Sequence, residues 1–345
     1  MCSESSGELV FAILTSTQPR QMAQAKITWT RLQQIRRRQP KVQWSPNYVA
    51  ATFADPKEAP GISTGTILRA RKLGSRELHT LSFNETCAAY LALYNPNCFE
   101  VFDQLAMSAT PCPHLLFGHP LATGLKLENF KGTLDVADRL GLLTKHPRVR
   151  AQIGPDPSVW PIAPFPYLAD LTLCLVDEAG PYVVDWPIKD KYEDFRRRGP
   201  RKSRARPDQD DPAVVGRNLL QRTFFSDAGI RSVEVVGSSI DFHVRCNLRE
   251  LFLDETYPLT VSEQAQAEIL LLYKSNIGRD VPAFRLAHQV AREFRIPDRE
   301  AVALIKQGVW RRELRVDLFQ PVLMDKPLRP EATDVLVRYA DWFKR

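Results

Sequence analysis

Three ionisable side chains stand out by type and spacing: Asp170 and Lys189 on either side of "DEAGP", and Glu85 far upstream in "SFNETC". The segment "LADLTLCLVDEAGPYVVDWPIKDK" is an apolar-rich run, a turn and a second apolar-rich run, which reads as a β-hairpin. With the turn centred between Ala179 and Gly180, antiparallel pairing puts position 170 across from 189. Asp170 and Lys189 are then cross-strand neighbours, roughly 5 Å apart at the β-carbons. Asp185 sits four residues before Lys189, about 13 Å along the strand. A carboxylate holds a hard cation such as Mg²⁺ or Mn²⁺ through oxygen, and the cation polarises a phosphate and its bound water. A lysine beside it steadies charge or orients the attacking water. One carboxylate is too few for a firm site, so Glu85 is the candidate for the second. The chemistry such a set suits is phosphodiester hydrolysis.

Each of these residues also has a plainer reading. Ser82-Phe83-Asn84-Glu85 is an S-x-x-E capping box, in which Glu85 only closes the start of a helix. Asp170 and Lys189 form, on that view, an exposed ion pair contributing less than about 1 kcal/mol.

The elements that must position them can be read off the chain. "SFNETCAAYLALYNPN" is a helix stopped by "NPN", and "CFEVFDQL" a strand after it. "TLDVADRLGLLTKHPRVRAQI" reads as helical, "DPAVVGRNLLQRTFFSDAG" as a helix and "RSVEVVG" as a strand. Together with the hairpin these make an alternating α/β domain over 71–250. Residues 1–70 form a basic arm or lead-in, with a short helix in "TWTRLQQIRRRQPKVQW" that ends before Pro40. Residues 251–345 change character. "TVSEQAQAEILLLYKS", "VPAFRLAHQVAREF" and "PDREAVALIKQG" are helices, the first capped by Ser262 or Thr260, and a short strand pair follows in "VWRRELRVDLFQPV". That order is the order of a winged helix, or else of a small helical interaction module.

"NETCAAYLALYNPNCFEVFDQ" followed by "ADLTLCLVDEAGPYVVDWPIKDK" resembles the TnsA-type endonuclease subunit of heteromeric bacterial transposases. The resemblance implies an α/β fold: a restriction-endonuclease-like mixed sheet flanked by helices, with a C-terminal winged-helix-like α domain. It implies an active site of Glu85, Gln104, Asp170 and Lys189 with Mg²⁺ or Mn²⁺. The activity implied is scission of the 5′ strand of double-stranded DNA at transposon ends. A DDE-type transposase and an AAA+ ATPase regulator are the implied protein partners.

One position departs from the family pattern. Where the family carries Glu or Gln two residues before the lysine, this chain has Pro187. Pro187 could form a bulge that brings Asp185 forward. Alternatively Glu85, Asp170 and the carbonyl of Ile188 hold the metal, with water completing the shell. A third outcome is lost activity, which leaves a non-catalytic DNA-binding or adaptor protein.

Composition limits the remaining possibilities. Lys plus Arg (47) exceed Asp plus Glu (40), a net charge of +7 that leans toward an anionic partner. "FRRRGPRKSRARPDQDD" concentrates seven cations between 196 and 206, either as a solvated loop or as an arm that neutralises phosphates. The six cysteines are scattered and read as reduced and buried, and His114 and His119 read as packing residues rather than metal ligands. No apolar run is long enough to span a membrane, so a soluble, cytoplasmic protein with no membrane partner is expected. No Walker loop, G-x-S-x-G elbow or placed G-x-G-x-x-G turn is present, which leaves ATP use, acyl transfer and dinucleotide binding without support.

Overall fold

Thr28 starts the first helix, its hydroxyl accepting from the Arg31 amide at 3.2 Å. The computed structural model describes residues 27–60, 63–154, 156, 159–197 and 209–345. Helix α1 (Trp29–Arg38) buries Leu32 and Ile35 and ends in three arginines, which suit the negative end of a helix dipole. Beyond it, Gln39 ties this region to the rest. Its Nε2 donates to the Val49 carbonyl at 3.0 Å, and its Oε1 accepts from the Ala106 amide at 2.9 Å. Strands β1 (Thr66–Arg69) and β2 (Glu77–Thr80) pair antiparallel.

Helix α2 (Phe83–Tyr94) is buried on every side from Glu85 onward, so it runs through the interior rather than along a surface. It leads into β3 (Cys98–Ala106). The helical reading of 133–153 is cut short: α3 spans only Thr133–Arg139, because Gly141 turns left-handed at φ 66° and stops it. Strands β4 (Arg148–Arg150) and β5 (Ile162–Pro164) then pair as a small antiparallel ribbon.

The central sheet is mixed. β6 (Leu168–Asp177) lies between β3 and β7 (Gly180–Trp186), antiparallel to both, while β9 (Arg231–Ser232) joins β7 in parallel. Past Pro187 the chain continues as β8 (Ile188–Lys189), parallel to β10 (Val235–Val236). Helix α4 (Pro212–Ser226) connects the hairpin to β9. Leu171, Leu173, Val184 and Trp186 pack toward α2. Phe102, Cys174 and Val183 pack toward Val136 of α3 and Phe224 of α4. With both faces covered, β6 and β7 read as near-continuous apolar runs.

The hairpin register differs from expectation. Asp177 pairs with Gly180, leaving Glu178 and Ala179 as a two-residue turn, and Leu171 pairs with Trp186. Asp177 Oδ1 accepts from the Ala179 amide at 2.9 Å and Gly180 takes φ 103°, which fixes the turn one residue earlier. Asp170 therefore lies level with Pro187, not Lys189.

The tail carries α5 (Phe242–Phe252), α6 (Glu263–Asn276), α7 (Ala283–Phe294), α8 (Asp298–Trp310), α9 (Val335–Arg338) and α10 (Ala340–Phe343). Ser262 caps α6. The boundary drawn at 250 falls inside α5, and one apolar cluster runs from α2 through α5 to α7 and α8. The strand pair expected in 309–322 does not form. α8 continues through Trp310, and only an isolated bridge joins Val316 to Pro330. Pro321, Pro327 and Pro330 have no amide to give to a ladder. Instead α10 folds back on the sheet, where Trp342 O accepts from Trp186 Nε1 at 2.8 Å.

Among the described residues no helix is long and apolar enough to cross a membrane. Cys87, Cys98 and Cys174 are buried and unpaired as expected, whereas Cys246 is exposed. Cys2 and most of the arginine run, 198–208, lie outside the described residues.

Candidate active site

Strand pairing sets Gln104 beside Asp170, and the start of α2 brings Glu85 to Gln104. Asp103 pairs with Leu171 and Leu105 with Ala169, so Gln104 falls level with Asp170 on the neighbouring strand. Gln104 has φ 50°, a conformation that a side chain with a β-carbon rarely adopts. Its Nε2 donates to Glu85 Oε2 at 3.1 Å. Glu85 itself is fixed at the start of α2: Oε1 accepts from the Ser82 hydroxyl at 2.9 Å and Oε2 from the Leu81 amide at 2.8 Å. Ser82 caps the helix through the Glu85 amide, but the reciprocal bond of a capping box is not made, because the Glu85 carboxylate accepts from the Leu81 amide and the Ser82 hydroxyl instead of the Ser82 amide.

Across the sheet, Asp170 Oδ2 accepts from the Ile188 amide at 2.8 Å and from Lys189 Nζ at 3.4 Å. Lys189 Nζ also donates to the Ile188 carbonyl at 3.0 Å. The side chains of Asp170 and Lys189 remain 19% and 28% exposed, so the pair opens to solvent while Glu85 is only 8% exposed. Burial, followed by the charge of Asp170, pushes the Glu85 carboxyl up to about 7, with Leu81, Ser82 and the Lys189 charge opposing. Glu85 therefore sits within the electrostatic reach of both other residues.

Pro187 ends β7 but does not bring Asp185 forward. Asp185 is fully buried, its two carboxylate oxygens accepting from Gln221 Nε2 at 3.2 and 3.0 Å and its Oδ2 also from Ser232 Oγ at 2.8 Å. Burial lifts its carboxyl to about 7 against those donors. Position 185 follows the strand's alternation toward α4, and a proline that merely terminates pairing leaves that alternation intact.

What remains for a cation is Glu85, Asp170 and the Ile188 carbonyl. Among the described residues no group of three His, Cys, Asp or Glu side chains converges. The donor set nonetheless fits a hard divalent ion. All three donors are oxygens, and the Glu85 carboxyl, whose proton affinity is raised by burial and by the charge of Asp170, is relieved by positive charge beside it. His114 and His119 are spent on local structure, their Nδ1 atoms accepting from Leu116 N and Leu121 N.

Two neighbours were not legible beforehand. Asn84 Nδ2 donates to Asp190 Oδ1 at 3.1 Å, linking the start of α2 to the residue after Lys189. Gly237 packs so close to Asn84 that an added β-carbon would lie 2.4 Å from Asn84 Cβ. No family model and no curated protein matches this chain.

Proposed function

We propose that this protein is a metal-dependent DNA endonuclease, the subunit of a heteromeric transposase that cuts the 5′ strand at transposon ends. The observation that carries the reading is the convergence of Glu85, Gln104, Asp170 and Lys189 at one end of the sheet. The order α2–β3–β6–β7–α4–β9 around a four-stranded mixed sheet supports a restriction-endonuclease-like fold, and helices α6–α8 support the winged-helix-like part without its wing.

In this reading Glu85, Asp170 and the Ile188 carbonyl hold Mg²⁺ or Mn²⁺, which when bound polarises the scissile phosphate and acidifies water. Gln104 orients Glu85 and, as a neutral donor, favours its charged form. Lys189 anchors Asp170 and places a positive charge where a phosphate oxygen gains negative charge. The net charge of +7 suits a DNA partner. A DDE-type transposase and an AAA+ ATPase complete the proposed assembly.

Metal binding tests the reading without cleavage. Millimolar Mg²⁺ or Mn²⁺ should raise the melting temperature of the wild type and not of Asp170→Ala. No shift in the wild type would favour the adaptor reading, for which the proline at 187 is the motivating feature.

A further inference from the structure

Beside the candidate site lies a surface that the cleavage chemistry does not use. Phe83 is the first residue of α2, two positions before Glu85, yet it is 54% exposed. Phe242 is the first residue of α5 and is 63% exposed. Neither ring covers a core. They belong to one patch because Arg245, one turn after Phe242 on the same helix face, lays its guanidinium 6.0 Å from the centre of the Phe83 ring. Among the described residues the Arg245 side chain makes no hydrogen bond or ion pair, and its Nε is buried without a partner. Elsewhere on neighbouring elements Arg222 pairs with Glu234, Arg196 with Asp210 and Arg231 with the Asp341 carbonyl.

The backbone holds the patch rigidly against the site. Gly237 lets the turn before α5 touch Asn84, the residue between Phe83 and Glu85. Asn84 bonds to Asp190, and Ser238 N donates to the Asp190 carbonyl at 3.4 Å, immediately after Lys189. Two exposed rings and an unpaired guanidinium are therefore locked to both halves of the candidate site.

We infer that Phe83, Phe242 and Arg245 form a platform for unstacked nucleotides of the DNA strand beside the scissile phosphate, a role that rests on the nuclease reading above. Every base offers a flat face for stacking on an aromatic ring, and an arginine beside the ring takes the connecting phosphate. An apolar protein surface would match the rings but would leave the guanidinium desolvated and unpaired. A stacked duplex cannot offer its base faces, so the occupant is a frayed or single-stranded stretch next to the cut.

The test is equilibrium binding of the full chain to fluorescein-labelled oligonucleotides in chelator, where no cleavage occurs. One probe is a blunt duplex and the other the same duplex with a short single-stranded tail. The wild type should prefer the tailed probe. Phe83→Ala and Phe242→Ala should each weaken tailed-probe binding about tenfold or more and leave the blunt duplex within about twofold. Arg245→Gln should flatten the salt dependence of tailed-probe binding by about 0.7 to 0.9 in log–log slope, one phosphate contact. Equal affinity of the wild type for both probes, or undiminished binding by the Phe83→Ala/Phe242→Ala double variant, overturns the inference. Loss of transposase binding with DNA binding unchanged also overturns it and assigns the face to protein. Because the readout needs neither metal nor cleavage, failure of the nuclease reading is a separate result: cutting by Asp170→Ala at the wild-type rate, with the tailed-probe preference intact.

Discussion

Gln104 Nε2 lies 3.1 Å from Glu85 Oε2, and the residue that delivers it is left-handed at φ 50° in the middle of a strand register. Such a backbone costs about 1–3 kcal/mol for a residue with a β-carbon, and strain of this kind collects where a side chain must be aimed. Asparagine tolerates the left-handed region but is one methylene shorter. Gln104→Asn should therefore change stability by no more than about 1 kcal/mol and lower DNA cleavage about tenfold or more. Undiminished cleavage by a variant that melts like the wild type would remove Gln104 from the site.

The Glu85 carboxyl, lifted to about 7 by burial and by Asp170, must lose its proton before it can hold a cation. Affinity for Mg²⁺ should fall by about tenfold per pH unit below that point and level off above it. Calorimetric titration at pH 6 and pH 8 measures the slope. Flat affinity across that range would mean that Glu85 is not a ligand.

Asp185 gives a stability signature that runs the opposite way with pH, through a residue outside the site. Its folded-state value near 7 lies above the ordinary carboxylate value of 3.8, so the folded protein holds a proton that the unfolded chain releases. Its contribution is present in full below pH 3.8 and is lost as pH rises through about 7. Asp185→Asn should flatten the fall in melting temperature between pH 4 and 7 by a few degrees relative to wild type. An unchanged profile would place the titration elsewhere.

Close packing of Gly237 on Asn84 predicts a sharp response to one methyl group. Gly237→Ala should destabilise by about 1–3 kcal/mol in urea unfolding, because the clash is with a β-carbon and the backbone must shift. Asn84→Gly in the same chain should recover part of that loss. A silent Gly237→Ala would show that the turn before α5 is free to move away from α2.

Much of this arrangement was legible in the sequence, for identifiable reasons. Ser82 and Glu85 signal a helix start through capping chemistry, which acts over three residues and so appears in a local pattern. β6 and β7 are visible as apolar runs because both faces of the sheet are covered. The hairpin register departs from a turn centred between Ala179 and Gly180 because the Asp177 side chain and the left-handed Gly180 place the two-residue turn one position earlier. Lys189 still reaches Asp170, since a long side chain beyond Pro187 tolerates a different register. Helix α5 carries a local signal, the Asp241 cap and Val244, Leu248 and Leu251 at helical spacing, whereas the Gly237 contact with Asn84 and the fold-back of α10 onto Trp186 depend on partners remote in the chain that no local pattern marks.

The most direct measurement is strand-specific cleavage at a transposon end in an assembly with its transposase and ATPase partners, comparing wild type, Asp170→Ala and Lys189→Ala. The account predicts that each substitution lowers 5′-strand cleavage by about 100-fold or more while 3′-strand cleavage by the transposase continues. Cleavage of the 5′ strand at the wild-type rate by either variant would contradict it.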